Sequence, residues 1–258
     1  SFLFMGKMIN GLLDVAKIYK YSISLHATSS INEMNEVVDN IVKSRADGVI
    51  ICNEALTEEE INVLNSFDTP MIFLGQKMET GNACNVYIDY RQAIGEIAEK
   101  YLSKGIDDIV LIEDRKNNLI IDQMISGFEE VYGRYGKKFA GYVEIPSEFH
   151  NSYDYLIDYF KQHKHQVVVT LRDSQAMAVL NACTENGITI PDDTDLICVM
   201  ESRYNDMVRP RISSFVMPVY DLGALAMRIM TKMLNNENVK EKEYKLNYLY
   251  KPKSSTKI

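Results

Sequence analysis

The sequence predicts an α/β protein of two lobes, each a parallel β-sheet flanked by helices. Three observations carry that prediction. The hydrophobic pattern switches repeatedly between short apolar runs and the helical spacing of about 3.6 residues. Ten or more predicted strands divide more readily into two sheets than they crowd into one. The length of 258 residues lies between one and two domains at roughly 150 residues each.

Taken in order, Phe4, Met8, Leu12, Val15 and Ala16 recur at helical spacing, and "YSISLHA" (Tyr21–Ala27) reads as a strand. "SSINEMNEVVDNIVKSRA" is a helix with Ser29 or Ser30 as N-cap and Glu33 completing a capping box. The strand "DGVIIC" (Asp47–Cys52) precedes the helix "TEEEINVLNSF", capped by Thr57. "PMIFLG" (Pro70–Gly75) and "CNVYID" (Cys84–Asp89) are strands. The alternation then restarts: helix "RQAIGEIAEKYLSKG" ending at Gly105, strand "DIVLIE", helix "LIIDQMISGFEEVYGRYGK", strand "FAGYVEI", helix "NSYDYLIDYFKQH", strand "QVVVTL". Asp173 is placed to cap the helix "DSQAMAVLNACTENG", closed by Gly187. Leu196–Met200 is apolar without a break, as a strand covered on both faces should be. "ISSFVM", the long helix "YDLGALAMRIMTKMLNN" and a strand pair around "YKLNYLY" complete the chain. Such alternation implies right-handed βαβ units, and a cleft between two such lobes is a natural small-molecule site.

Composition narrows the function. Hydrophobic residues at 46% and charged residues at 25% suit a soluble globular protein. A net charge of −8 and a pI near 5.1 argue against a broad surface that tracks a phosphate backbone. No stretch approaches the roughly 18 uninterrupted apolar residues of a membrane span, so no membrane partner is expected. The start does not read as a signal peptide, since Lys7 and Asp14 interrupt its apolar residues, and no leader is expected in it; it does not begin with Met, so an upstream segment is expected. Cys52, Cys84, Cys183 and Cys198 show no CxxC spacing; Cys52 and Cys198, in or beside apolar strands, read as small buried thiols, and a reduced, cytoplasmic setting is expected. No nucleophile elbow, phosphate loop, zinc-protease motif or dinucleotide fingerprint occurs, so neither an enzyme nor a cofactor is expected. His163 and His165 sit at a helix end without a neighbouring carboxylate or Cys and read as exposed surface, not a metal pair.

Six segments resemble the lactose-repressor (LacI/GalR) family of bacterial transcription regulators. They are "KSRADGVIICNEALTEEE", "TPMIFLG", "VYIDYRQAIGEIAEKYLSKGIDDIVLIE", "ISGFEEVYGRYGKK", "RDSQAMAVLNACTENGITIPDDTDLICVMES" and "PRISSFVMPVYDLGALAMRIMTKML", with the ending "YKLNYLYKPKSSTKI" in the same register. The resemblance spans essentially the whole chain in the correct order. It implies a periplasmic-binding-protein-like fold: two Rossmann-like lobes, three crossovers, an effector in the cleft and a homodimer. It places one lobe at about 1–89 plus 219–240 and the other at about 90–218 plus 241–258. It also implies a helix-turn-helix headpiece for operator DNA and a first strand, both ahead of residue 1. The Phe4–Tyr19 helix and the Asn53–Asn65 region are the expected contributors to the dimer.

The same resemblance points to effector-binding positions, and several depart from the family's pattern. The Arg three residues before "GF" falls at Met124, the Asn before "D..A.G" at Arg172, and the two Asp of "GFDD" at Met200 and Glu201. Two thioethers where the family has Arg and Asp remove groups suited to arrays of hydroxyls and leave a softer apolar surface. Arg172 adds a cation. Phe4 matches the family's "NPFF" segment, with plain core as its equal alternative, and Phe149 falls where the family often stacks an aromatic on its ligand. Gln76 and Met217 match crossover and strand-end positions. Three readings stay open: a more apolar effector with an anionic group for Arg172, a sugar or sugar phosphate held by Glu201 and Arg172, or a site that holds no small molecule while Met124 and Met200 pack. The rival from a different class is a solute-binding protein of a transporter, which shares the fold.

Overall fold

The computed structural model describes residues 2–26, 34–52, 58–75, 77, 83–114 and 118–258. Two compact units emerge: residues 2–89 with 218–247, and residues 90–217 with 248–258.

The first unit is built on a four-stranded sheet in the order β1-β2-β3-β9. Its strands are β1 (Val49–Cys52), β2 (Met71–Gly75), β3 (Cys84–Tyr87) and β9 (Glu243–Lys245), all parallel to their neighbours. β2 is buried along its whole length on both faces of the sheet, which is why "MIFLG" reads as an unbroken apolar run. Ile51, Leu64, Met71, Phe73 and Ala83 form one of its apolar clusters, with Leu64 supplied by α3 (Glu58–Asn65). α2 (Met34–Ser44) precedes β1; the expected caps at Ser29, Ser30 and Thr57 lie outside the described residues.

Two long helices complete this unit: α1 (Phe2–Ile18) buries Met8, Leu12, Val15 and Ala16, and α9 (Val219–Leu234) packs directly on it. The helices meet at two glycines. A Cβ on Gly11 would collide with the carbonyl oxygen of Tyr220, and one on Gly223 with that of Met8. The Tyr220 hydroxyl also donates to Asp14 Oδ2 at 2.9 Å across the same seam.

Two expectations change here. Tyr21–Ala27 was expected as a strand, yet Tyr21–His26 forms no ladder with any described residue. The alternation of its side chains is real, but a strand exists only where a neighbour accepts its hydrogen bonds, and β1 pairs with β2 alone among the described residues. Leu25 is left 62% exposed. Residues 241–247 and Pro218, expected with the second lobe, belong to the first unit. The cause is that β9 pairs with β3, Tyr244 opposite Val86, so the expected closing strand pair is divided between two sheets.

The second unit holds a six-stranded sheet in the order β10-β8-β7-β6-β4-β5. Its strands are β4 (Ile109–Glu113), β5 (Tyr142–Glu144), β6 (Val167–Thr170), β7 (Asp195–Met200), β8 (Ser213–Val216) and β10 (Leu249–Lys251). All pairs are parallel except β10 with β8. α4 (Tyr90–Leu102) and α5 (Asn118–Arg134) pack together, as do α6 (Phe149–Gln162) and α7 (Asp173–Glu185). The predicted helix stops hold: Gly105 and Gly187 both adopt positive φ, which costs glycine no Cβ clash. The short α8 (Arg203–Met207) was not foreseen; its start is fixed by Ser202 Oγ, which accepts from Tyr204 N–H at 3.2 Å.

The tail is sewn into this sheet through Ser255. Its carbonyl accepts from Leu196 N–H at 2.9 Å, its hydroxyl donates to Leu196 O at 2.6 Å, and the same hydroxyl accepts from Ser213 N–H at 2.8 Å.

The close approach of α1 and α9 makes a definite expectation. Gly223→Val forces bulk against helix backbone and should cost about 2–3 kcal/mol, in the range measured for overpacked cores. A urea midpoint unchanged within error would contradict the close contact.

Candidate functional site

In an open parallel sheet, ligands gather outside the carboxyl ends of the strands where the strand order reverses. In the six-stranded sheet that reversal falls between β4 and β6, because β4 leads outward to β5 while β6 leads the other way to β7. The residues at and just past the ends of those two strands therefore define the candidate site: Glu113, the last residue of β4, with Asp114 after it, and Leu171 and Arg172 after β6. Met200 and Met217 close β7 and β8 on the same edge.

Glu113 organises this edge. One carboxylate oxygen, Oε2, accepts from the backbone N–H groups of Leu171 at 2.9 Å and Arg172 at 3.2 Å. The other, Oε1, accepts from Arg172 Nη2 at 2.7 Å and from Asp114 N–H at 3.1 Å. Arg172 Nη2 also lies 2.6 Å from Asp114 Oδ2. The three residues are buried, at 0% (Glu113), 1% (Asp114) and 9% (Arg172) exposure. Burial pushes the Glu113 carboxyl above the usual carboxylate range, and the Arg172 guanidinium opposes that rise. Arg172 Nε, also buried, has no hydrogen-bond acceptor among the described residues.

Arg172 thus differs from its expected role. The sequence suggested a cation offered to an anionic guest; the structure engages that cation with two buried carboxylates that sequence reasoning had passed over. The available signal was the acidic pair "ED" closing the apolar run "IVLI". Asp173 is the first residue of α7 and not its cap; its Oδ1 accepts from Ser174 N–H at 2.8 Å.

The remaining expected residues scatter. Met200 and Met217 keep 8% and 9% exposure at their strand ends, and Met200 N–H donates to Leu171 O at 2.8 Å, tying β7 to the end of β6. Met124, in α5, is fully buried and presents no surface to a guest. Glu201 is engaged elsewhere: its Oε1 accepts from the buried Lys253 ammonium at 3.1 Å, and that ammonium also meets Asp206 at 3.1 Å. Gln76 and the side chains of Phe4 and Phe149 lie outside the described residues.

Two other sets of reactive groups carry no chemistry here. Among the described residues no group of three or more His, Cys, Asp or Glu is arranged to hold a metal ion. His163 is exposed as expected, but His165 is half-buried, with Nδ1 2.7 Å from Asp108 Oδ1 and Nε2 2.7 Å from the Tyr159 hydroxyl; the carboxylate it lacks in sequence is supplied across the fold. The Cys183 and Cys198 thiols are pushed up to about 12 by burial, which leaves them protonated and inert at neutral pH.

A family model, the periplasmic binding protein-like domain, matches residues 98–256. Catabolite control protein A of Staphylococcus aureus is 25% identical over 261 residues, covering 100% of this chain and 79% of that protein. Among solved structures, the transcription regulator CcpA of Lactococcus lactis is similar at a TM-score of 0.83, with 23% identity, over 98% of this chain and 94% of that one. A LacI family transcriptional regulator from Enterococcus faecium, with bound ribose, reaches a TM-score of 0.82 at 18% identity, over 98% and 94% of the two chains. These structural likenesses establish the fold.

Two outcomes follow from the geometry. Glu113→Ala leaves two backbone N–H groups and a buried guanidinium without their acceptor and should cost about 3–5 kcal/mol, the usual penalty for removing one partner of a buried pair; denaturant unfolding measures it, and a loss under 1 kcal/mol would contradict the clamp. With a thiol reagent at pH 8, the half-buried Cys52 should react first, and Cys183 and Cys198 only on unfolding.

Proposed function

The chain belongs to the periplasmic-binding-protein-like family, in the form carried by LacI/GalR-type transcription regulators, and from that membership we propose that it senses a small molecule at the carboxyl edge of its six-stranded sheet. It is the effector-binding core of such a regulator. The observation that carries the effector reading is the position of the Glu113–Arg172 clamp at the reversal of strand order, the place where this kind of sheet receives ligands.

The guest is recognised there by the strand-end residues. Met200 and Met217 supply apolar contact, and the clamp supplies the polar corner. Gln76, Phe4 and Phe149 complete the proposed set on the strength of the family resemblance. A guest that binds one conformation better than another shifts the population towards it, and that shift is the signal. The core acts as a homodimer and, in the cytoplasm, governs operator DNA through a helix-turn-helix headpiece; its own charge of −8 supports leaving DNA contact to a separate module. No helix among the described residues is long and apolar enough to cross a membrane. The chain works by binding and not by catalysis, a reading supported by its similarity to transcription regulators.

The test is a thermal-shift screen of several hundred small metabolites, with sedimentation of the same preparation. A specific guest at 100 times its Kd adds about 2.7 kcal/mol of stability, enough to raise the melting temperature by several degrees. A screen in which no compound raises it would overturn the effector reading, and a sedimentation profile that stays monomeric at micromolar concentration would overturn the dimer.

A further inference from the structure

Asparagine stands directly before glycine at two places in the chain, Asn10–Gly11 and Asn186–Gly187. Glycine has no Cβ to shield its nitrogen or to restrict its backbone, so in these pairs that nitrogen most easily reaches the asparagine side chain. The glycine nitrogen attacks Cγ and a C–N bond forms. The bond to Nδ2 breaks, and Nδ2 leaves as ammonia with the proton that the glycine nitrogen gives up. Water then opens the succinimide ring at one carbonyl or the other, giving aspartate or isoaspartate. Both products carry a new carboxylate, and isoaspartate adds a methylene group to the backbone.

The native fold closes both sites, by different means. At the end of α7, Gly187 N–H donates to Thr184 O at 3.1 Å and Ile188 N–H to Cys183 O at 2.9 Å. The Asn186 side chain donates through Nδ2 to Ala182 O at 2.9 Å and to Ile157 O, in α6, at 3.1 Å. Asn186 has ψ of 7°, and ring closure requires that angle to rotate, which undoes the bonds that follow it. Asn10 lies inside α1 with its side chain exposed, yet Gly11 is where α1 touches α9, since a Cβ there would collide with Tyr220 O. Reaction at Asn10 therefore requires α1 to lift from α9. Exposure favours Asn10, whereas ease of backbone opening favours Asn186. The reaction turns on backbone rotation, and a helix end opens at far lower free energy than a packed helix detaches.

We propose that Asn186 is the modification site at which the folded chain ages, converting slowly to isoaspartate and aspartate through opening of the last turn of α7, while the α1–α9 contact keeps Asn10 intact. The change undoes the tie that it starts from. A carboxylate cannot donate to Ile157 O or Ala182 O, and its charge meets the partly negative carbonyl end of α7. Conversion thus loosens α6 from α7 beside the apolar cluster that holds Leu156, Phe160, Ala182 and Cys183. The mark is one-way, and it does not depend on whether the chain senses a small molecule.

The full chain can be incubated at mildly alkaline pH, folded and in denaturant, with isoaspartate located by peptide mass spectrometry and by methyl transfer from a protein isoaspartyl methyltransferase. In denaturant the two sites should convert at comparable rates. In the folded chain both should slow, with Asn186 ahead of Asn10 by about tenfold or more, the factor that about 1.4 kcal/mol of opening free energy is worth. Asn10 keeping pace with Asn186 in the folded chain would overturn the proposal, as would Asn186 converting at its denatured rate or a folded chain that accepts no methyl groups. Asn186→Gln keeps an amide but disfavours ring closure, and should remove most methyl acceptance from the folded chain; acceptance at the parent level sinks the assignment to Asn186. Asn186→Asp installs the charge alone and should lower the urea midpoint and let Cys183 react with a thiol reagent before global unfolding. A midpoint and a Cys183 rate equal to the parent's would overturn the loosening.

Discussion

The candidate site depends on how one buried carboxylate is satisfied. Glu113 has left water completely, and a bare carboxylate there would be untenable. It survives because four N–H donors converge on it, three from the end of β6 and one from its own neighbour. That requirement fixes the end of β4 against the end of β6 at the point where the sheet changes direction. Arg172 is buried for the same reason, and its guanidinium is useful first as a counter-charge. The cluster is therefore frame and polar corner together.

The periodic parts of the fold were legible because burial imposes a period. β2, β4, β6 and β7 are covered on both faces and read as continuous apolar runs; α4 and α7 repeat their buried residues at helical spacing and end at glycines with positive φ. Tyr21–His26 has a strand's alternation but no described partner, and pairing is not encoded in a single segment. The placement of β9 was missed for a related reason: "EYK" carries no burial signal, and what assigns it to one sheet or the other is the open edge of β3. α8 is too short to show a period at all.

The site was legible as a position and not as a chemistry. The resemblance directed attention to Arg172 and Met200, both at strand ends near the reversal. It could not reveal that Glu113, far away in the chain, would take up the Arg172 cation, because a charge pair between distant segments leaves no local pattern. Glu201 shows the same limit. Beside Met200 it looks like a polar contact for a guest, yet Lys253, from the tail, occupies it. His165 is a third case, with Asp108 brought to its ring by the parallel arrangement of β4 and β6.

The interleaving of the two units bears on how the protein is made. β3 waits for β9, and β8 waits for β10 and the Ser255 stitch, so each sheet holds an uncapped border while the ribosome is still at work. The β3 rim stays naked from Tyr87 to Glu243, more than half of the 258 residues, whereas the β8 rim is covered soon after it is made, at Leu249. Such late, distant pairings favour slow maturation and leave time for wrong partners to attach. Its yield in the cell should therefore follow the supply of chaperones more closely than that of a protein whose sheets close in order.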